Sequence, residues 1–141
     1  MIYYATIDTN VVVSSLLKPG SIPDIILEYI RKGIIIPLLN NEILNEYKEV
    51  LNRNNFDFSS YEIETKLEMI CKNAIFLNRE KTIEKFIDNN DIVFYEIVMS
   101  ARSIYDAYLI TGNKKHFPSK PYVVTPRQML EIIEENESGR D

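Results

Sequence analysis

Five short runs of uncharged, mostly apolar residues punctuate this sequence, and stretches with helical spacing lie between them. The runs are Ile2–Ile7, Ile34–Leu39, Ala74–Leu77, Ala107–Thr111 and Pro121–Thr125. A strand with one wet face alternates apolar and polar residues, whereas a solid run is covered on both faces. The pattern therefore predicts an α/β fold of three layers, α/β/α, with a central, mainly parallel sheet. Pro37 has no N–H to give a ladder, so it is expected at the end of its strand or on an edge.

The intervening stretches carry helix signals. Ile22, Ile25, Ile26, Tyr29 and Ile30 share one helical face, and Gly33 stops them. Asn40 or Asn41 caps a helix that presents Ile43, Leu44, Tyr47, Val50 and Leu51, with Glu42 and Glu46 one turn apart. Ser59 or Ser60 caps a third helix running from Ser60 to Lys72, and Asp91 is placed to cap one through Val93, Phe94, Ile97, Val98 and Ala101. Pro126 opens the last, which carries Met129 and Ile133. One domain over residues 1–135 and a disordered tail over 136–141 are expected.

At 141 residues and 45% apolar the chain can bury a core without staples. Its single cysteine, Cys71, excludes an intrachain disulfide or a thiolate zinc cluster and fits a reducing compartment. The opening MIYYATIDTN has no basic leader region, and no uncharged apolar stretch approaches about 18 residues, so neither signal peptide nor membrane span is expected and the cytoplasm is. A net charge of −5 argues against holding nucleic acid by a broad basic surface. It is compatible with clustered carboxylates that a bound cation neutralises locally.

In open parallel sheets the working crevice lies outside the carboxyl ends of the strands. The residues found there are Asp8-Thr9-Asn10 after the first run and Thr111-Gly112-Asn113 after a later one. Glu46 and Asp91 face the same crevice if their helices begin near that edge, which would bring together three acids and one amide. Oxygen donors of this kind suit Mg²⁺ or Mn²⁺ rather than zinc or copper. Carboxylates held close repel each other and need a cation to stay ionised. Two ions roughly 4 Å apart could activate a water against a phosphodiester and stabilise the leaving oxygen. The plainer reading is that Asp8 ends a strand, Asp91 caps a helix and Glu46 is a solvated acid. Other chemistries fit poorly: Asp8-Thr9-Asn10 lacks the acidic pair of a phosphoacceptor domain, and Asn10 stands where a haloacid-dehalogenase-like phosphatase needs a second aspartate. No glycine-rich phosphate cradle follows the first strand.

From about Ile2 to Ile133 the chain resembles the PIN-domain family, of the branch that supplies toxin components of toxin–antitoxin pairs, the VapC-like ribonucleases. Ile7-Asp8-Thr9-Asn10-Val11-Val12-Val13-Ser14 is similar to the family's first acidic motif, which implies Asp8 as a metal ligand with Thr9 and Asn10 in support. Glu42-Ile43-Leu44-Asn45-Glu46-Tyr47 resembles the second, with Glu46 as ligand. Asp88-Asn89-Asn90-Asp91 followed by Phe94 resembles the third, with Asp91 as ligand and Asp88 beside it. The resemblance implies a Mg²⁺- or Mn²⁺-dependent endoribonuclease with Asp8, Glu46, Asp91 and Asn113 at its catalytic centre, Thr111 in support, RNA as substrate, an antitoxin protein as partner and a homodimer.

Asn113 stands where many relatives carry an aspartate; it offers a neutral carbonyl oxygen and no charge, so a second ion would bind more weakly. Lys114, Lys115 and His116 follow it and could contact RNA phosphates, and Arg102 and Lys120 could extend that basic rim. His116, the sole histidine, could act as a general acid but has no companions for zinc. Tyr3, Tyr4, Tyr47 and Tyr108 lie in apolar segments and are expected in or beside the core rather than stacked on bases. The alternative to an enzyme is a PIN-like module that binds RNA or protein without cutting.

Overall fold

The computed structural model describes residues 1–138. Its strands are β1 (Tyr3–Ile7), β2 (Ile35–Leu39), β3 (Ile75–Phe76), β4 (Ala107–Ile110) and β5 (Val123–Val124). They form one parallel sheet in the order β3-β2-β1-β4-β5. The helices are α1 (Thr9–Leu17), α2 (Ile22–Arg31), α3 (Asn41–Leu51), α4 (Ser60–Asn73), α5 (Ile92–Arg102) and α6 (Pro126–Ser138). Together with the sheet they make the expected three-layer α/β/α architecture. The central strand β1 buries Tyr3, Ala5, Thr6 and Ile7, so its solid apolar run reflects cover on both faces. No described helix is long and apolar enough to cross a membrane.

Sequence signals explain most boundaries. Gly33 takes φ +79 after α2, a left-handed conformation that a side chain would strain. The Asn40 side chain accepts from the Ile43 N–H at 2.9 Å, and Ser59 with Glu62 forms a reciprocal capping box at the start of α4. Helix α1 was not expected, because its β-branched run Val11–Val13 has weak helix propensity. All three valines are buried, and packing overrides propensity there. The tail expected over 136–141 is helical through Ser138; residues 139–141 lie outside the described residues.

Pro37 sits in the middle of β2, an interior strand, contrary to the end or edge position expected for it. The Ile34 carbonyl accepts from Tyr3 on the β1 side, whereas the Leu39 carbonyl accepts from Leu77 on the β3 side. Backbone groups in a parallel strand alternate sides, which turns position 37 toward β3. Pairing with β3 begins only at Leu38, so the missing N–H breaks no ladder bond. The edge is local to that residue.

One irregular stretch bears on function. Between β3 and α5 the chain is tied down by Glu96, a buried acid of α5. Arg79 Nε donates to Glu96 Oε1 at 2.7 Å, the Thr82 N–H donates to Glu96 Oε2 at 2.8 Å, and Arg79 Nη1 donates to Glu42 Oε2 at 2.8 Å. Phe86 then packs edge-on against Tyr95 and Phe117. These contacts lead the strap over α5 and deliver Asp88 and Asp91 to the carboxyl edge of the sheet. Glu96→Ala is expected to lower stability by about 2 kcal/mol, because it strands a partly buried guanidinium and an amide. Urea unfolding would measure it, and an unchanged midpoint would show that the strap is held by its aromatic contacts alone.

Candidate functional site

Sheet order reverses between β1 and β4, whose connections run to opposite sides, and the crevice at such a switch point is where open α/β sheets bind ligands. Asp8 leaves the end of β1 and caps α1; its Oδ1 accepts from the Thr9 N–H at 2.8 Å, and its Oδ2 accepts from Thr111 Oγ1 at 2.6 Å. Thr111 Oγ1 also accepts from the Asn113 N–H at 3.0 Å, and the Gly112 N–H donates to Asn10 Oδ1 at 3.2 Å. The turns after β1 and β4 are thus stitched together by the side chains of Asp8, Asn10 and Thr111. Thr9 reaches the other way, its hydroxyl donating to Glu46 Oε2 on α3. Beside Glu46, the buried Tyr47 hydroxyl donates to the Ile7 carbonyl and pins α3 to the end of β1.

Asp91 precedes α5 but does not cap it. No cap bond is made by its side chain, and Asp88 caps the preceding 3-10 turn by accepting from the Asn90 N–H at 2.9 Å. Asp91 Oδ2 is buried without a hydrogen-bond partner. His116 Nδ1 stands 3.4 Å from that oxygen, within ion-pair reach though outside hydrogen-bond alignment, and His116 Nε2 lies 3.0 Å from Asn113 Nδ2.

Asp8, Thr9, Asn10, Glu46, Asp88, Asp91, Asn113 and His116 therefore line one open cavity of about 400 Å³. Burial raises the Asp8 carboxyl above its ordinary range, against the lowering effect of its bonds from Thr111 and Thr9. Glu46 is raised by burial and by the neighbouring charges of Asp8, Asp88 and Glu49, although its bond from Thr9 opposes this. Asp91 is pushed to about 6 by burial and by Asp8 and Asp88. Raised carboxyls that repel one another are stabilised by a cation. The oxygen donors and the orphaned Asp91 Oδ2 match a hard divalent ion in chemistry. Among the described residues, however, no three His, Cys, Asp or Glu side chains form a group already drawn together to hold a metal.

The basic residues divide differently from expectation. His116 lines the cavity, but Lys114 and Lys115 do not; Lys114 Nζ reaches Gln128 on α6 at 3.3 Å. Lys120 pairs with Glu84. Arg102 donates to the Ala107 carbonyl at the amino end of β4 and covers the Tyr122 ring, so it belongs to the opposite edge of the sheet. The cation that does line the cavity is Arg53, which the sequence reading overlooked. Its sequence position gave little signal: α3 ends at Leu51, and Arg53 lies in the turn beyond its C-cap, Asn52. Glu42 points elsewhere, to Arg79.

A family model described as PIN domain matches residues 4–115. That span includes Asp8, Glu46, Asp91 and Asn113 and ends one residue before His116. Comparison with curated proteins gives no match.

Proposed function

The chain belongs to the PIN domain family, which is associated with nucleases, RNA metabolism and toxin–antitoxin systems, and from that membership we propose that it is a Mg²⁺- or Mn²⁺-dependent endoribonuclease acting as the toxin of such a pair. The observation that carries the reading is the convergence of Asp8, Glu46 and Asp91, from three separate segments, on one cavity where each carboxyl is raised above its ordinary range. In this reading those three hold the ion, and Asp88, Thr9, Asn10 and Thr111 support them. Glu46 is oriented by the Thr9 hydroxyl, which donates to its Oε2. When bound, the ion supplies Lewis-acid polarisation of a phosphodiester and neutralises developing charge. Arg53 faces the same cavity and provides the counter-charge for an adjoining RNA phosphate. In the toxin reading an antitoxin protein is the partner, and the chain works as a homodimer in the cytoplasm.

The test is cleavage of labelled single-stranded and structured RNA by purified protein. Cutting is expected with Mg²⁺ or Mn²⁺ and not with chelator; equal cutting in both would remove the metal from the mechanism. The second reading, a PIN-like module that binds RNA or protein without cutting, draws on two observations: the neutral Asn113 and a carboxylate group not drawn together in advance. It requires RNA retention with no product in any metal.

A further inference from the structure

We propose that Asn113 is a positioning residue that holds the His116 ring in its Nδ1–H tautomer, so that the ring turns an N–H toward Asp91. The inference deepens the metal-nuclease reading and takes its functional consequence from it, but the hydrogen-bond assignment stands on local chemistry.

His116 is held between two side chains, with Nδ1 3.4 Å from Asp91 Oδ2 and Nε2 3.0 Å from Asn113 Nδ2. An ionised carboxylate only accepts. The nitrogen facing Asp91 must carry the proton, since a lone pair there would add repulsion to a buried oxygen already crowded by Asp8 and Asp88. A neutral imidazole has one N–H, so Nε2 then presents a lone pair and needs a donor. The carboxamide of Asn113 supplies it, and the acceptor-only character of Asp91 decides which way that amide faces. An aspartate at 113 has no proton to give. It would draw the N–H to Nε2 and turn a lone pair toward Asp91.

The same residue is tied to the other side of the cavity. The Asn113 backbone N–H donates to Thr111 Oγ1, which in turn donates to Asp8 Oδ2. One turn therefore reaches Asp8 by hydrogen bonds through Thr111 and Asp91 by the ion-pair contact of His116. Hydrogen bonds behind a ligating carboxylate fix its orientation, and their loss typically costs about 10- to 100-fold in metal affinity or activity. Asn113 thus does more than occupy the place of a missing ligand.

Because His116 is the sole histidine, its ring nitrogens can be read without ambiguity in uniformly ¹⁵N-labelled, metal-free protein. The spectrum is recorded at about pH 9. The expected pattern of ¹⁵N shifts and two-bond couplings is protonated Nδ1 and bare Nε2, the opposite of the form unperturbed side chains favour. Asn113→Asp is expected to reverse it, with amide dispersion elsewhere preserved to show that the fold is intact. Nε2–H in the wild type, or a tautomer indifferent to Asn113→Asp, would overturn the proposal. His116→Ala should also weaken Mn²⁺ binding about 10- to 100-fold; unchanged binding would overturn the positioning role. If the wild type cuts no RNA but shows the Nδ1–H form and its reversal, the nuclease reading fails and the hydrogen-bond assignment stands.

Discussion

Asp8→Asn is expected to reduce metal-dependent RNA cleavage by at least about a thousandfold while leaving the protein folded. Three decades of rate correspond to about 4 kcal/mol of transition-state stabilisation, a reasonable loss for a central metal-holding carboxylate. The fold should persist because asparagine keeps the shape and most of the bonds. Its Oδ1 can still accept from the Thr9 N–H, and its Nδ2 can donate to Thr111 Oγ1 where the aspartate accepted. The variant therefore separates charge from packing. Retention of cleavage within tenfold of wild type, in protein that unfolds no earlier than wild type, would remove Asp8 from the metal site.

Asp91→Asn should likewise cost at least about a hundredfold in cleavage, yet stabilise the metal-free protein at pH 7.5 by about 1–2 kcal/mol. The sign follows from the direction of its shift. The folded protein pushes Asp91 up to about 6 from an ordinary 3.8, so between those values the folded state holds a proton that the unfolded state has lost. Stability from this group is complete below the lower value and disappears as pH rises through the upper one. The difference of about 2 pH units corresponds to about 3 kcal/mol, which solvent screening of a partly exposed side chain reduces to the range given. Asp8 and Glu46 are raised in the same direction and add to the trend. Urea unfolding with excess chelator at pH 5 and pH 7.5 would measure it. If Asp91→Asn has the same stability as wild type at pH 7.5, the carboxylate is not crowded as described. Added Mn²⁺ should stabilise wild type and not the variant, because an ion that binds only the folded state shifts unfolding by mass action.

Such a trade of stability for a charged cavity leaves different traces in sequence and in structure. Strands β1, β2 and β4 were legible because burial on both faces writes itself as an unbroken apolar run. The same rule hid α1, where Val11–Val13 spells a strand although the backbone is helical. Asp8 and Asn113 could be located from the rule that sites lie at the carboxyl ends of parallel strands. Glu46 and Asp91 needed resemblance, since an acid on a helix is ordinarily a surface residue or a cap. Only the structure shows that Asp88 caps the preceding 3-10 turn while Asp91 Oδ2 takes no hydrogen bond.

Contacts between distant segments were not legible. Nothing in the sequence pairs Arg79 with Glu96 or sends Lys114 toward Gln128 and away from the cavity. Arg53 lies past the end of α3, where helical spacing no longer tells which way a side chain faces. Asn113 itself looked like a ligand position that had lost its charge. Its relation to His116 becomes visible only when both ring nitrogens are placed against their neighbours.

Anomalous diffraction from crystals soaked in saturating Mn²⁺ tests most directly whether Asp8, Glu46 and Asp91 share an ion. The expected map has at least one Mn²⁺ peak in their cavity, with oxygens of all three at about the 2.1 Å typical of small hard cations. Peaks confined to other surfaces, with those carboxylates bound to no common ion, would contradict it.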